Sequence, residues 1–270
     1  MEPAILTDAT PDALTRAIYD NLFEMYRYLG RSQAVEYHHD AELTWLRTPI
    51  APVAFLNGVL HTHAPAHRLD ALIHSTIDYF RSKGVIRFSW WLDERSPYLA
   101  AHLQAHRLAY IEGNLGMALD LGEFSGNPPG IDGLRVEVVS DMQTLRDCAL
   151  AVQSGFETPE IYRPAWLEMS ASLGFELPLR SYVGYHRGDP VASSQLFLGA
   201  GVAGIYTVAT VPSASRLGIG AAMTQAALRE AIDLGYRYAI LHASTMGEGV
   251  YARLGFRGYC HLSRFIWERE

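Results

Sequence analysis

The chain has 270 residues, a formal net charge of −7, 49% apolar and 19% charged residues, and two cysteines. It is long enough for two compact units at roughly 150 residues each, and apolar enough to bury full cores. The acidic balance argues against a nucleic-acid surface, which needs clustered Lys and Arg. Cys148 and Cys260 match no metal or redox spacing, Met1-Glu2-Pro3 carries no basic leader, and no apolar run approaches the ~18 residues of a membrane span, so a cytoplasmic protein is expected.

In chain order, the first expected elements are strands at Leu43 to Leu46 and Val53 to Thr62, a helix at Arg68 to Ser82, and a strand at Arg87 to Leu92. A helix at Pro97 to Leu108 and a strand at Leu115 to Leu121 follow. His61, His63 and His67 lie close together, but Pro65 and the lack of nearby acidic residues speak against a metal; none is expected. Trp45, Trp90 and Trp91 read as core or interface aromatics, because no basic residues interleave with them. The stretch Gly122 to Gly133, rich in glycine and proline, cannot continue a helix or central strand and reads as a linker. The expected division is therefore 1–122, a linker at 123–133, and 134–270.

Beyond it, Leu134 to Val139 alternates as a strand, and Asp141 to Ser154 carries helical apolar spacing. A helix over Pro164 to Leu173 has proline in its first turn. Strands at Arg180 to His186 and Val191 to Leu198 are joined by the turn residues Arg187-Gly188-Asp189-Pro190. A strand over 203–211 then enters Pro212-Ser213-Ala214-Ser215-Arg216-Leu217-Gly218-Ile219-Gly220-Ala221 and a helix with Gly235 at its C′ position. Tyr238 to His242 reads as a buried strand, Gly247 to Arg253 as a short helix, and Phe256 to Glu268 as one or two final strands.

Two glycines flanking Ile219 at a helix start let backbone N–H groups close on an anion, helped by the helix dipole. A dinucleotide site would place a glycine where Met223 stands, and a nucleotide P-loop would need a lysine that is missing. The pattern (Gln/Arg)-x-x-Gly-x-(Gly/Ala) does fit Ser215-Arg216-Leu217-Gly218-Ile219-Gly220, with Ser215 departing at its first position. A second block, Val250-Tyr251-Ala252-Arg253-Leu254-Gly255-Phe256, follows downstream. With these motifs the chain resembles the GNAT superfamily of acyl-CoA-dependent N-acetyltransferases over roughly residues 134 to 262.

The resemblance implies an α/β fold with a mixed sheet. It implies a tandem of GNAT-like units, each a mostly antiparallel twisted sheet flanked by helices. The N-terminal unit is then degenerate, since His63 to Arg68 holds no glycine where a phosphate loop would be, and no cofactor is expected there; the alternative is an α/β cap of independent origin. In the C-terminal unit the resemblance implies acetyl-CoA as co-substrate. The backbone of Val208, Ala209 and Thr210 would hold its pantetheine arm, and the amides of Arg216, Leu217, Gly218, Ile219, Gly220 and Ala221 its pyrophosphate. Tyr251 stands at the family's general-acid position. Ser244 falls where relatives place a cofactor-binding asparagine, with a helix N-cap as the structural alternative.

No carboxylate or histidine lies between Gly201 and Val211 to act as general base. Glu157, Glu160 and His242 are the candidates, each also readable as structural or solvated. The expected activity is acetyl transfer to a small-molecule or N-terminal amine, by a monomer or homodimer that engages neither nucleic acid nor membrane. The competing reading is a non-catalytic acyl-CoA-binding module.

Overall fold

The computed structural model describes residues 4–49, 56–92, 98–126 and 130–269. The chain runs through α1 (Pro11–Leu29), β1 (Glu36–His39), β2 (Leu43–Arg47), β3 (Asn57–Thr62), α2 (Leu69–Ser82), β4 (Arg87–Trp91), α3 (Leu99–Ala105) and β5 (Ala109–Asp120). It continues with β6 (Leu134–Val138), α4 (Met142–Gly155), α5 (Arg163–Leu173), β7 (Leu179–His186), β8 (Asp189–Gly199) and β9 (Val202–Thr210). It ends with α6 (Ile219–Asp233), β10 (Tyr238–Ala243), α7 (Glu248–Arg253) and β11 (Arg257–Glu268). Helix α1 and strand β1 precede the first expected element at Leu43, and β5 begins six residues earlier than expected, at Ala109 rather than Leu115. The expected residues 53–55, Pro97 and 127–129 lie outside the described residues.

The chain forms two compact units, Met1–Met25 with Leu115–Cys260, and Tyr26–Asn114 with His261–Glu270. The described residues of 123–133 belong to the first unit. Strand pairing is the reason. The second half of β5 lies antiparallel to β10, from Leu115↔Ala243 to Asp120↔Tyr238, and so completes the first unit's sheet. The second half of β11 lies antiparallel to β4, from Arg264↔Trp91 to Glu268↔Arg87, and completes the other. Each half of the chain thus supplies the last strand of the unit built mainly from the other half.

In the first unit the strand order is β5-β10-β9-β8-β7-β6, antiparallel except for β9 beside β10. The second unit has the order β1-β2-β3-β4-β11, antiparallel except for β3 beside β4. In both, the parallel pair is joined by a helix, α6 or α2. Local chemistry sets the element ends. Asp141 caps α4 by accepting from the amides of Gln143 and Thr144, and Gly235 at φ 81° ends α6. The two-residue turns Arg187-Gly188 and Ala200-Gly201 take positive φ throughout, matching the twist of their hairpins.

Helices α4 and α6 both pack on β7, β8 and β9. The apolar cluster that α6 shares with the sheet, including Leu196, Ala203, Ile205, Met223, Ala239 and Leu241, contains no α4 residue, so the two helices cover opposite faces. Helix α1 adds a polar clasp. Asn21, fully buried, donates from Nδ2 to the Gly199 and Val202 carbonyls at 2.8 and 3.3 Å, and its Oδ1 accepts from the Tyr206 hydroxyl at 2.7 Å. Glu24 accepts the Ala200 amide at 2.7 Å. Replacing Asn21 with leucine strands buried carbonyls and a phenol, and is expected to cost about 3 kcal/mol. Chemical denaturation of Asn21→Leu beside the wild-type protein checks this.

Candidate active site

Strands β9 and β10 pair only at Ala203↔Ala239, Gly204↔Ile240 and Ile205↔Leu241. Past Ile205, β9 stays with β8 while β10 stays with β5, so an edge of β9 opens from Tyr206 onward. The same segment bulges. Ser193 pairs with Ala209 and Gln195 with Tyr206, which leaves Thr207 and Val208 opposite Ser194 alone. Thr207 sits at φ 51°, rare for a β-branched residue. It is pinned on both sides: the Ser193 hydroxyl donates to its carbonyl at 2.9 Å, and its own hydroxyl donates to the Gln195 side-chain oxygen. Gln195 in turn donates to Ser181 at 2.9 Å. The result is an unpaired backbone edge over Val208, Ala209 and Thr210, which an extended ligand could match as an added strand.

Beyond the bulge the chain turns through Pro212–Ala214 into α6. Arg216 and Gly218 take φ 62° and 81°, and Gly218 is the N-cap without a side-chain cap bond. The first helical bond runs from Ala222 N to Gly218 O at 3.1 Å. Among the described residues no protein acceptor receives the N–H groups of Arg216 to Ala221, so a row of amides and the helix dipole are free for an anion. Gly220 needs no special conformation, and a Cβ there would meet only Thr210 Oγ1 at 3.6 Å. Glycine at a helix position costs about 1 kcal/mol against alanine, and nothing inside the protein requires it.

The remaining candidates divide by placement. Tyr251 on α7 packs its ring 6.1 Å from Phe256, and burial pushes its phenol up to about 12. Ser244 is exposed just past β10. Its carbonyl, not its hydroxyl, receives the amides of Gly247 and Glu248, and the α7 N-cap is Gly247, so the side-chain cap considered from sequence does not form. Glu157 and Glu160 are exposed beyond the end of α4. That end presses on β9: a Cβ on Gly155 would come within 2.8 Å of Ala209 Cβ and 3.0 Å of Thr210 N. His242 is the first β10 residue past the last pair with β9, and its ring meets Tyr206 edge-on at 5.6 Å. Burial lowers its pKa to about 4, opposed by a hydrogen bond to the Ile18 backbone.

In the second unit the corresponding parallel pair is bridged. Trp90, fully buried, reaches from β4 to donate to Thr62 Oγ1 on β3 at 2.9 Å, and Trp45 and Trp91 are buried as well. The rings of His61 and His63 stack at 5.5 Å, and among the described residues no group of three metal-ligating side chains forms.

The His242 shift carries a sign. Its folded pKa of about 4 lies below the ordinary 6.5, so the unfolded chain takes up the proton first as pH falls. Stability it contributes above pH 6.5 is lost down to pH 4. Between pH 7 and 4.5, wild-type protein is expected to lose on the order of 2 kcal/mol more than His242→Phe in denaturant titrations.

Residues 132–246 match the family model described as an acetyltransferase (GNAT) domain. No curated protein sequence matches the chain. Among solved structures, a GCN5-related N-acetyltransferase from Kribbella flavida is similar over 93% of this chain and 96% of that one, with TM-score 0.68 and 18% identity. A tandem GNAT protein from the clavulanic acid biosynthesis pathway aligns over 88% and 84%, with TM-score 0.60 and 15% identity. A GCN5-related N-acetyltransferase from Sphaerobacter thermophilus aligns over 84% and 79%, with TM-score 0.58 and 16% identity. At these identities the structural likeness speaks for the fold alone, and the sequence match covers one segment: residues 132–246 are similar to a GNAT acetyltransferase domain.

Proposed function

We propose that the chain is an N-acyltransferase that moves the acetyl group of acetyl-CoA to a small-molecule or N-terminal amine. The observation that carries this reading is the run of acceptor-free amides from Arg216 to Ala221, set at the end of the open β9 edge. Those amides suit a pyrophosphate, with the exposed Arg216 side chain beside them. The edge over Val208, Ala209 and Thr210 suits the two amides of a pantetheine arm, and Ser244 flanks the far strand. Fixing the thioester beside an oriented amine is the largest contribution such a site makes, about 7–11 kcal/mol of barrier in favourable cases.

In this reading the amine nitrogen bonds to the acyl carbon as the carbon–sulfur bond breaks, and the leaving thiolate takes a proton from the Tyr251 hydroxyl. Burial keeps that phenol protonated at any physiological pH. Acetyl-CoA use puts the reaction in the cytoplasm, and the charge of −7 favours a cationic amine over nucleic acid. Among the described residues no helix is long and apolar enough to cross a membrane. A monomer or a homodimer would serve. The second reading, an acyl-CoA-binding module without turnover, draws on the lack of any carboxylate along β9.

Release of free thiol from acetyl-CoA across a panel of amines separates the two, since binding without release under every amine supports the module. Tyr251→Phe is expected to lower kcat about 100-fold while leaving the acetyl-CoA Kd within about twofold. Unchanged turnover would remove the general acid. Gly220→Ala is expected to keep or slightly raise the melting temperature, yet weaken coenzyme A binding at least ~10-fold in a calorimetric titration, because the methyl group enters the ligand's space and not the protein's.

A further inference from the structure

The sequence of β9 offers no group to take the proton that an attacking amine must lose. The side chain of His242 occupies a suitable place. It follows directly on Leu241, the last β10 residue paired with β9, and Tyr206, its ring neighbour, follows directly on Ile205. The two rings therefore stand at the point where the strands part. Alternation along β10 sends Leu241 and Ala243 into the α6 cluster and His242 to the opposite face, where α1 lies. The exposed Glu157 and Glu160 have no such placement.

The imidazole is held in one state. Its Nε2 is buried and meets no donor or acceptor among the described residues. The hydrogen bond to the Ile18 carbonyl therefore belongs to Nδ1, which assigns the proton to Nδ1 and the lone pair to Nε2. A buried acceptor without a partner is costly and uncommon, and such groups concentrate where a ligand or ordered water completes them.

Resting on the acyl-transfer reading, we propose that His242 Nε2 receives the N–H of the attacking amine and is the base of the reaction. The amine nitrogen bonds to the acyl carbon, its proton passes to Nε2, the carbon–sulfur bond breaks, and the thiolate takes the Tyr251 proton. Nε2 then gives its proton to solvent and Tyr251 regains one from solvent. Burial keeps the resting imidazole neutral, so it attracts an N–H instead of repelling a cationic amine, and it passes the proton on because a buried imidazolium is disfavoured.

His242→Phe keeps a ring against Tyr206 but has no lone pair, and His242→Asn keeps a donor for Ile18. Both are expected to lower kcat at least ~50-fold with the acetyl-CoA Kd held within about twofold. Turnover at the wild-type rate in His242→Phe would overturn the assignment and leave acyl transfer standing. Wild-type protein that releases no thiol with any amine would overturn acyl transfer and this assignment together. Independently of whether the variants fold, 15N NMR of wild-type protein should show an unprotonated His242 Nε2 whose resonance moves when an amine is added to the coenzyme A complex. A protonated Nε2, or one unmoved by an amine that is turned over, would also overturn it.

Discussion

The parting of β9 from β10 after Ile205 is the constraint on which the open edge at Val208 to Thr210 depends. A continuous parallel ladder would satisfy the backbone of Val208 to Thr210 and leave nothing for a ligand to bind. The separation is enforced by polar contacts, since the bulge at Thr207 puts two residues opposite one and turns the strand away. Left-handed backbone at a threonine is strained, and the hydrogen bonds from Ser193 and to Gln195 hold it there. These partners are buried residues of β8 itself. The strand that stays beside β9 therefore shapes the edge that β10 abandons.

The other side of the opening is built from remote parts of the chain. Asn21 lies 178 residues from Gly199, and its three bonds tie the β8–β9 turn and the Tyr206 phenol to α1. Tyr206 then backs the His242 ring, and Ile18, one turn before Asn21, holds that ring's other nitrogen. Helix α1 up to Met25 thus belongs to the first unit in space, although the family match begins at residue 132. The exchange of β5 and β11 extends the same logic: a cut at the glycine-rich stretch would strip β10 of a neighbour and expose its edge.

Much of this was legible in the residues. Strong alternation and glycine punctuation marked β7 to β10, and the loop before α6 announced itself through Gly218 and Gly220. Helix α1 carries a readable stripe at Leu14, Ile18, Leu22 and Leu29 behind Pro11, yet it is interrupted by Asn21, a polar residue whose partners lie in another part of the sequence. The bulge could not be read, because nothing in Tyr206-Thr207-Val208 demands positive φ; Gln195 and Ser193 impose it. The pairing of β5 with β10 and of β11 with β4 was hidden for the same reason. Glycine and proline report where a strand stops, not which strand a distant segment will pair with.

The raised pKa of Tyr251 weighs on its proposed role in two directions. A phenol near 12 is a weaker acid than the ordinary value of 10, which by itself would handicap proton donation. The cause of the shift is desolvation, however, and desolvation acts on the partner too. A thiolate leaving into the same dry surroundings is disfavoured as an anion just as the phenolate is, so its affinity for a proton rises alongside. Proton transfer depends on the difference between donor and acceptor, and that difference is preserved when both move together. Burial therefore removes water as a competing donor without spoiling the match. It asks only that the leaving sulfur and the Tyr251 hydroxyl share one environment.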